Sequence, residues 1–246
     1  MLRGTVDFRA RITRHPLTFT SCEFSPHEPG VEKIVMESPT GDQIQGSVHL
    51  SSVASDEEAR VVAAKLANYY LDRISFLHGS SIESHEILRS VLMPIALQPG
   101  AVVQLHTGDL LIFGQQADLI VGLDATSLKA EMERPAASGE NFFGMYRSAL
   151  QSASPVEQFM HLYQILLLFF NDRQADVDDY IRREEPGVSE TSHPLFAGAT
   201  ETVYSRLRNE FGHVRAGVDV RNTKLEMANQ LGGLTTLTKR AIELQP

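Results

Sequence analysis

Near the end of the chain, Arg208, Asn209 and His213 bring a guanidinium, a carboxamide and an imidazole close together in sequence. A guanidinium can grip a phosphate through two parallel N–H bonds, and an imidazole exchanges protons near neutral pH. Residues four apart share a helix face, so Asn209 is placed to touch His213 and fix its tautomer. Arg208 and His213, five apart, lie about 140° apart if the helix continues. Gly212 offers a place for the helix to end and the histidine to be re-aimed.

The bare spacing has little specificity. With 17 arginines and nine histidines in 246 residues, chance alone gives roughly 0.6 occurrences of arginine, four residues, histidine. Arg73 to His78 meets the same spacing without a polar second position, in a segment that reads as a helix of the N-terminal part, and is set aside as a decoy. Between Glu201 and Lys224 the basic residues 206, 208, 215, 221 and 224 outnumber the acids 201, 210 and 219, a small positive island in an otherwise acidic chain. A purely structural role competes with the chemical one: Arg208 pairing with Glu201 or Glu210, and His213 capping the carbonyls of a helix end.

Other chemistry-bearing residues point to no site. His15, His27, His49 and His85 are dispersed without metal-ligand spacing, so no metal is expected. Asp176, Asp178 and Asp179 read as a solvated helix start near the positive end of the dipole rather than a cation site. Cys22, the lone cysteine, excludes an intramolecular disulfide framework and reads as a small buried hydrophobe. Phosphate-loop and dinucleotide glycine patterns are missing, and no cofactor is expected.

The net charge of −9 disfavours broad, sequence-indifferent binding to duplex nucleic acid. The opening MLRGTVDFRARITRH carries charges through its apolar residues and does not read as a secretory leader, and no run is long enough to span a bilayer. A cytoplasmic protein without a membrane association is expected.

The elements that must position the candidate residues fall into two parts. Residues 1–138 read as an α+β module: β-rich segments at 5–14, 31–37 and 42–50 form an antiparallel sheet, and a long helix follows the capping box Ser55 to Glu58 and stops at Gly79. Two further strands are expected at 102–106 and 110–113, and residues 118–134 give no clear pattern. Residues 139–246 change to helices without strands, four to five in number. Ser154-Pro155-Val156-Glu157 opens a central helix that is apolar around most of its circumference. Segments 174–185, 199–211 and 223–244 supply the others, the last with a capping box Thr223 to Glu226 and an interruption at Gly232-Gly233 that either permits close helix contact or marks a kink.

The string Leu207-Arg208-Asn209-Glu210-Phe211-Gly212-His213, late in a helical bundle, resembles the signature of the HEPN superfamily of nucleotide-binding and ribonuclease domains. The resemblance extends over residues 141–244. Residues 208–241, with GHVRAGVDV and NTKLEMANQLGGL, are also similar to the methylamine-utilisation J-protein (MauJ-like) group, beside the ApeA-like proteins. The resemblance implies a metal-independent endoribonuclease or an RNA-binding module, with two such motifs meeting across a homodimer. It assigns the catalytic roles to Arg208, Asn209 and His213, which would leave a 2′,3′-cyclic phosphate and a 5′-hydroxyl. It also implies a defence or toxin setting, in which the N-terminal module senses a trigger or positions the bundle. The MauJ-like similarity implies instead a non-catalytic assembly protein with a protein partner.

Overall fold

A computed structural model describes residues 1–95, 121–134, 138–194, 196–213 and 217–244. The chain divides into two compact units, Met1–Pro135 and Ala136–Pro246. The first is built on a curled, mostly antiparallel sheet and the second on helices. The expected strands at 102–106 and 110–113 lie outside the described residues. Among the described residues no helix is long and apolar enough to cross a membrane.

In the first unit the long strands are β1 (Leu2–Arg14), β2 (Leu17–Phe24), β3 (Val31–Ser38) and β4 (Gln43–Val53). They lie in the order β1-β4-β3-β2, each pairing antiparallel. Two later strands, β5 (Ser81–Ile82) and β6 (Glu86–Pro94), share the free edge of β1, and β7 (Val121–Gly122) pairs parallel with β2. Alternation sets the faces: Val6, Phe8, Ala10 and Ile12 of β1 are buried, as are Ile44 and Val48 of β4. Helix α1 (Asp56–His78) covers that face with Ala59, Ala63, Leu66, Tyr70 and Ile74, and Tyr70 stacks on Phe24 at 5.0 Å.

The caps of α1 are those its sequence encodes. Ser55 accepts the Glu58 N–H, and Gly79, at φ 69°, turns the chain in a left-handed conformation that a side chain would resist. Arg73 of the decoy motif is buried and donates through Nη2 to the carbonyls of Glu131 and Arg134, where α2 (Ala125–Met132) ends. Its role there is to satisfy a helix terminus. Sequence patterning misses β2 and β6 because irregular register breaks their alternation, and β5 because two residues carry no pattern.

The second unit begins with a 3-10 turn (Ser138–Phe142) and α3 (Phe143–Leu150). Next come α4 (Pro155–Phe169), α5 (Gln174–Glu184), the hairpin β8 (Glu190–Ser192) and β9 (Thr200–Thr202), α6 (Val203–Gly212) and α7 (Val220–Glu243). Helix α4 starts as its sequence predicts, with Ser154 accepting the Glu157 N–H, and packs against the other four helices. Phe159, Leu162, Tyr163, Ile165 and Leu166 are all 1 % exposed or less.

Two expectations are corrected. The unit is not free of strands: residues 200–202 pair with β8, so α6 starts at Val203 rather than near residue 199, capped by the Thr202 hydroxyl. Helix α7 is capped by Asp219, which accepts the N–H groups of Arg221 and Asn222. Thr223 therefore lies a turn inside the helix, and its hydroxyl donates to Glu210 of α6 at 2.9 Å.

The glycine pair does not break α7, which runs through it. A Cβ on Gly233 would come within 2.2 Å of the Tyr204 hydroxyl, whereas one on Gly232 would meet open space. Tyr204 is 1 % exposed and donates to Glu185 at 2.8 Å, so its ring has little room to yield. The two glycines should therefore separate in urea denaturation. Gly232→Ala is expected to gain up to about 1 kcal/mol through helix propensity, and Gly233→Ala to lose about 1–3 kcal/mol through overpacking.

Candidate functional site

The site is built where α5 lies beside α6. Gln174, Asp178 and Arg182 recur every four residues along α5 and form one polar stripe. Each meets the segment that leads into α6 or α6 itself. Arg182 reaches Glu190 and Thr200 of the hairpin. Asp178, 4 % exposed, accepts through Oδ1 from the Thr202 N–H at 3.2 Å and from the Thr202 and Ser205 hydroxyls, both at 2.6 Å. Gln174 accepts from Asn209 at 3.0 Å.

The expectation of three solvated aspartates is thus corrected for Asp178. Asp176 and Asp179 stay in surface ion pairs with Arg173 and Arg182, but Asp178 sits inside and anchors the first turn of α6. Tyr163 of α4 completes this cluster at 2.6 Å from the Ser205 hydroxyl. Burial pushes its own hydroxyl well above the usual phenol range, so it stays a neutral partner.

Two turns further along, α6 presents the predicted residues. Asn209 is buried, Arg208 half-buried and His213 exposed. Arg208 Nη1 donates to Asn209 Oδ1 at 2.9 Å and lies 2.9 Å from His213 Nε2. The structure therefore gathers all three side chains around one guanidinium nitrogen. The link differs from that expected of helical spacing: Asn209 does not hold the imidazole, because its Oδ1 meets Arg208 while its Nδ2 donates to Gln174 and Glu201. Helix α6 ends at Gly212, which lets the side chains five apart meet.

A guanidinium has no lone pair to offer, so Nε2 of His213 is the acceptor in this contact and a neutral ring carries its proton on Nδ1. Among the described residues, the hydrogen bonds of Arg208 run through Nη1, and a guanidinium carries further N–H donors of the kind that grip an anion in pairs. The suggested pairing of Arg208 with Glu210 is taken by Arg206 instead. Arg206 Nη1 meets Glu210 at 2.9 Å and its Nη2 meets Glu226 of α7. Burial opposes the charge of Arg206, but the two carboxylates outweigh it and hold its pKa above the ordinary value. This pairing and the Thr223–Glu210 bond fasten the C-terminal half of α6 to α7.

Sequence reasoning missed Gln174, Tyr163 and Ser205, and gave Asp178 and Glu201 other partners than those they have, the Thr202 and Ser205 hydroxyls for Asp178 and the Asn209 amide for Glu201. The four-residue spacing of the α5 stripe and the Thr202-x-x-Ser205 cap were the signals present. The burial of Glu201, at 1 % exposure, depends on the fold and has no local signal.

Asp178→Ala leaves two hydroxyls and one backbone N–H without their acceptor and should cost about 2–4 kcal/mol in urea denaturation. Arg173→Ala, at a side chain 71 % exposed, should leave the midpoint unchanged. No family model, curated protein or solved structure matches this chain.

Proposed function

We propose that the C-terminal unit is a HEPN-like module that binds RNA and cleaves it without a metal ion, using Arg208, Asn209 and His213. The observation that carries this reading is the guanidinium nitrogen shared between Asn209 Oδ1 and His213 Nε2, each at 2.9 Å. It puts an anion-binding group and a proton acceptor side by side at the exposed end of a helix. An RNA phosphodiester supplies the two partners such a pair needs, a phosphate and an adjacent 2′-hydroxyl.

In the proposed reaction the phosphate takes the arginine fork, and the Nε2 lone pair of His213 is released toward the 2′-hydroxyl. The 2′-oxygen forms a bond to phosphorus as its proton passes to Nε2. The bond to the 5′-oxygen breaks, and that oxygen takes a proton from the matching histidine of a second copy, which enters the reaction as the imidazolium with its ring turned away from Arg208, so that the two rings exchange charge states over one turnover. A 2′,3′-cyclic phosphate and a 5′-hydroxyl result, and Arg208 stabilises the charge on the pentacoordinate phosphorus. Asn209 holds Arg208 in place.

The net charge of −9 favours a second reading, a non-catalytic assembly module of the MauJ-like kind that uses the same helices to bind protein. One assay separates them. Incubated with single-stranded RNA in EDTA, the protein should yield cyclic-phosphate ends, and Arg208→Ala or His213→Ala should lower the rate by roughly 100-fold or more. Cleavage that is absent, or equal in the His213→Ala chain, overturns the nuclease reading and leaves the assembly role. In the defence setting, expression of the wild-type chain arrests growth and either substitution relieves it.

A further inference from the structure

Asn209 is useful to the site in only one of its two amide orientations. With Oδ1 toward Arg208 it accepts a guanidinium N–H, and a half-turn of the carboxamide would aim N–H groups at a cation that has only donors to offer. Something must choose the orientation. The opposite end, Nδ2, has two N–H groups and two acceptors: Gln174 Oε1 at 3.0 Å and Glu201 Oε2 at 3.1 Å.

These two acceptors are not equivalent. Gln174 carries an amide of its own, which by turning over presents donors in place of its oxygen, so it accommodates either orientation of Asn209. A carboxylate presents oxygens only. Glu201 is also held in place: it is 1 % exposed, and it sits on β9 directly before Thr202, which Asp178 grips through both its N–H and its hydroxyl. The order of causes runs from Asp178, which fixes the end of β9, through Glu201 and Asn209 to Arg208 and His213.

We infer that Glu201 is a positioning residue of this site, whose buried carboxylate fixes the amide orientation of Asn209 and through it the direction of the Arg208 guanidinium. Its effect on RNA cleavage rests on the proposed function, but its effect on the geometry does not, and the two can be read separately.

The test is Glu201→Gln, which keeps the shape and supplies an amide that tolerates a flipped Asn209. The ring 15N shifts of His213, assigned by comparison with His213→Ala, report whether Nε2 still accepts from Arg208. Circular dichroism and urea denaturation report folding. The E201Q chain is expected to fold, to shift its His213 ring signals away from the wild-type values, and to cleave RNA roughly 10- to 100-fold more slowly, mainly in kcat. Adding Gln174→Glu to E201Q returns an acceptor-only group to the same Nδ2 and should restore both readouts.

A folded E201Q chain with wild-type His213 signals overturns the inference, as does a double variant that restores nothing. If the wild-type protein cuts no RNA, the proposed function fails while the His213 signals still decide the role of Glu201. If E201Q does not fold, Gln174→Met decides, since it leaves Glu201 alone to hold Nδ2. Wild-type His213 signals in that chain support the inference, and their loss assigns the role to Gln174 and overturns it.

Discussion

A carboxylate taken out of water needs hydrogen-bond donors, and Asp178 receives three of them, all on Oδ1, from the first turn of α6. The C-terminal unit is organised around this requirement. It fixes where α5 lies against α6, it holds Thr202 as the cap of α6, and it brings Tyr163 of α4 into the cluster through Ser205. Helix α6 is short, so the position of its first turn decides where its last turn points. The latch of Arg206, Glu210, Glu226 and Thr223 then fixes that last turn against α7. Arg208 and His213 extend from a helix held at both ends.

This arrangement concentrates charge in an orderly way. The buried acids Asp178 and Glu201 are matched by hydrogen-bond donors in the interior, while Arg206 is neutralised between two glutamates. Arg208 differs from Arg206 in that its described partners, a carboxamide oxygen and a ring nitrogen, are neutral acceptors. Those partners orient its positive charge, which suits the anion binding proposed for it.

The parts of the fold legible in the sequence are those set by local chemistry. Ser55 and Gly79 bound α1, Ser154 and Pro155 start α4, and the alternation of β1 sets its buried face, because caps and periodicity act within a few residues. The hairpin before α6 was not legible, since Glu190–Ser192 and Thr200–Thr202 are exposed or polar and gain their pairing from Arg182 on another helix. The start of α7 was misread for a related reason: Thr223 has the local pattern of a cap, but Asp219 reaches the free N–H groups first, leaving Thr223 to bond Glu210. At the site, the residue types at 208, 209 and 213 were readable, whereas their connections were not. Helical spacing joins Asn209 to His213; the end of α6 at Gly212 and the pull of Gln174 and Glu201 on Asn209 give the imidazole to Arg208 instead.

Under the proposed function, the contact between Arg208 and His213 is a resting arrangement that a phosphodiester opens. The most direct measurement is a crystal structure of the protein with a short RNA carrying 2′-deoxyribose at the nucleotide to be cut. The account requires the guanidinium to have left Nε2 for two oxygens of the adjacent phosphate, with the freed Nε2 facing the ribose C2′. An oligonucleotide bound elsewhere, with Arg208 and His213 still 2.9 Å apart, would contradict it.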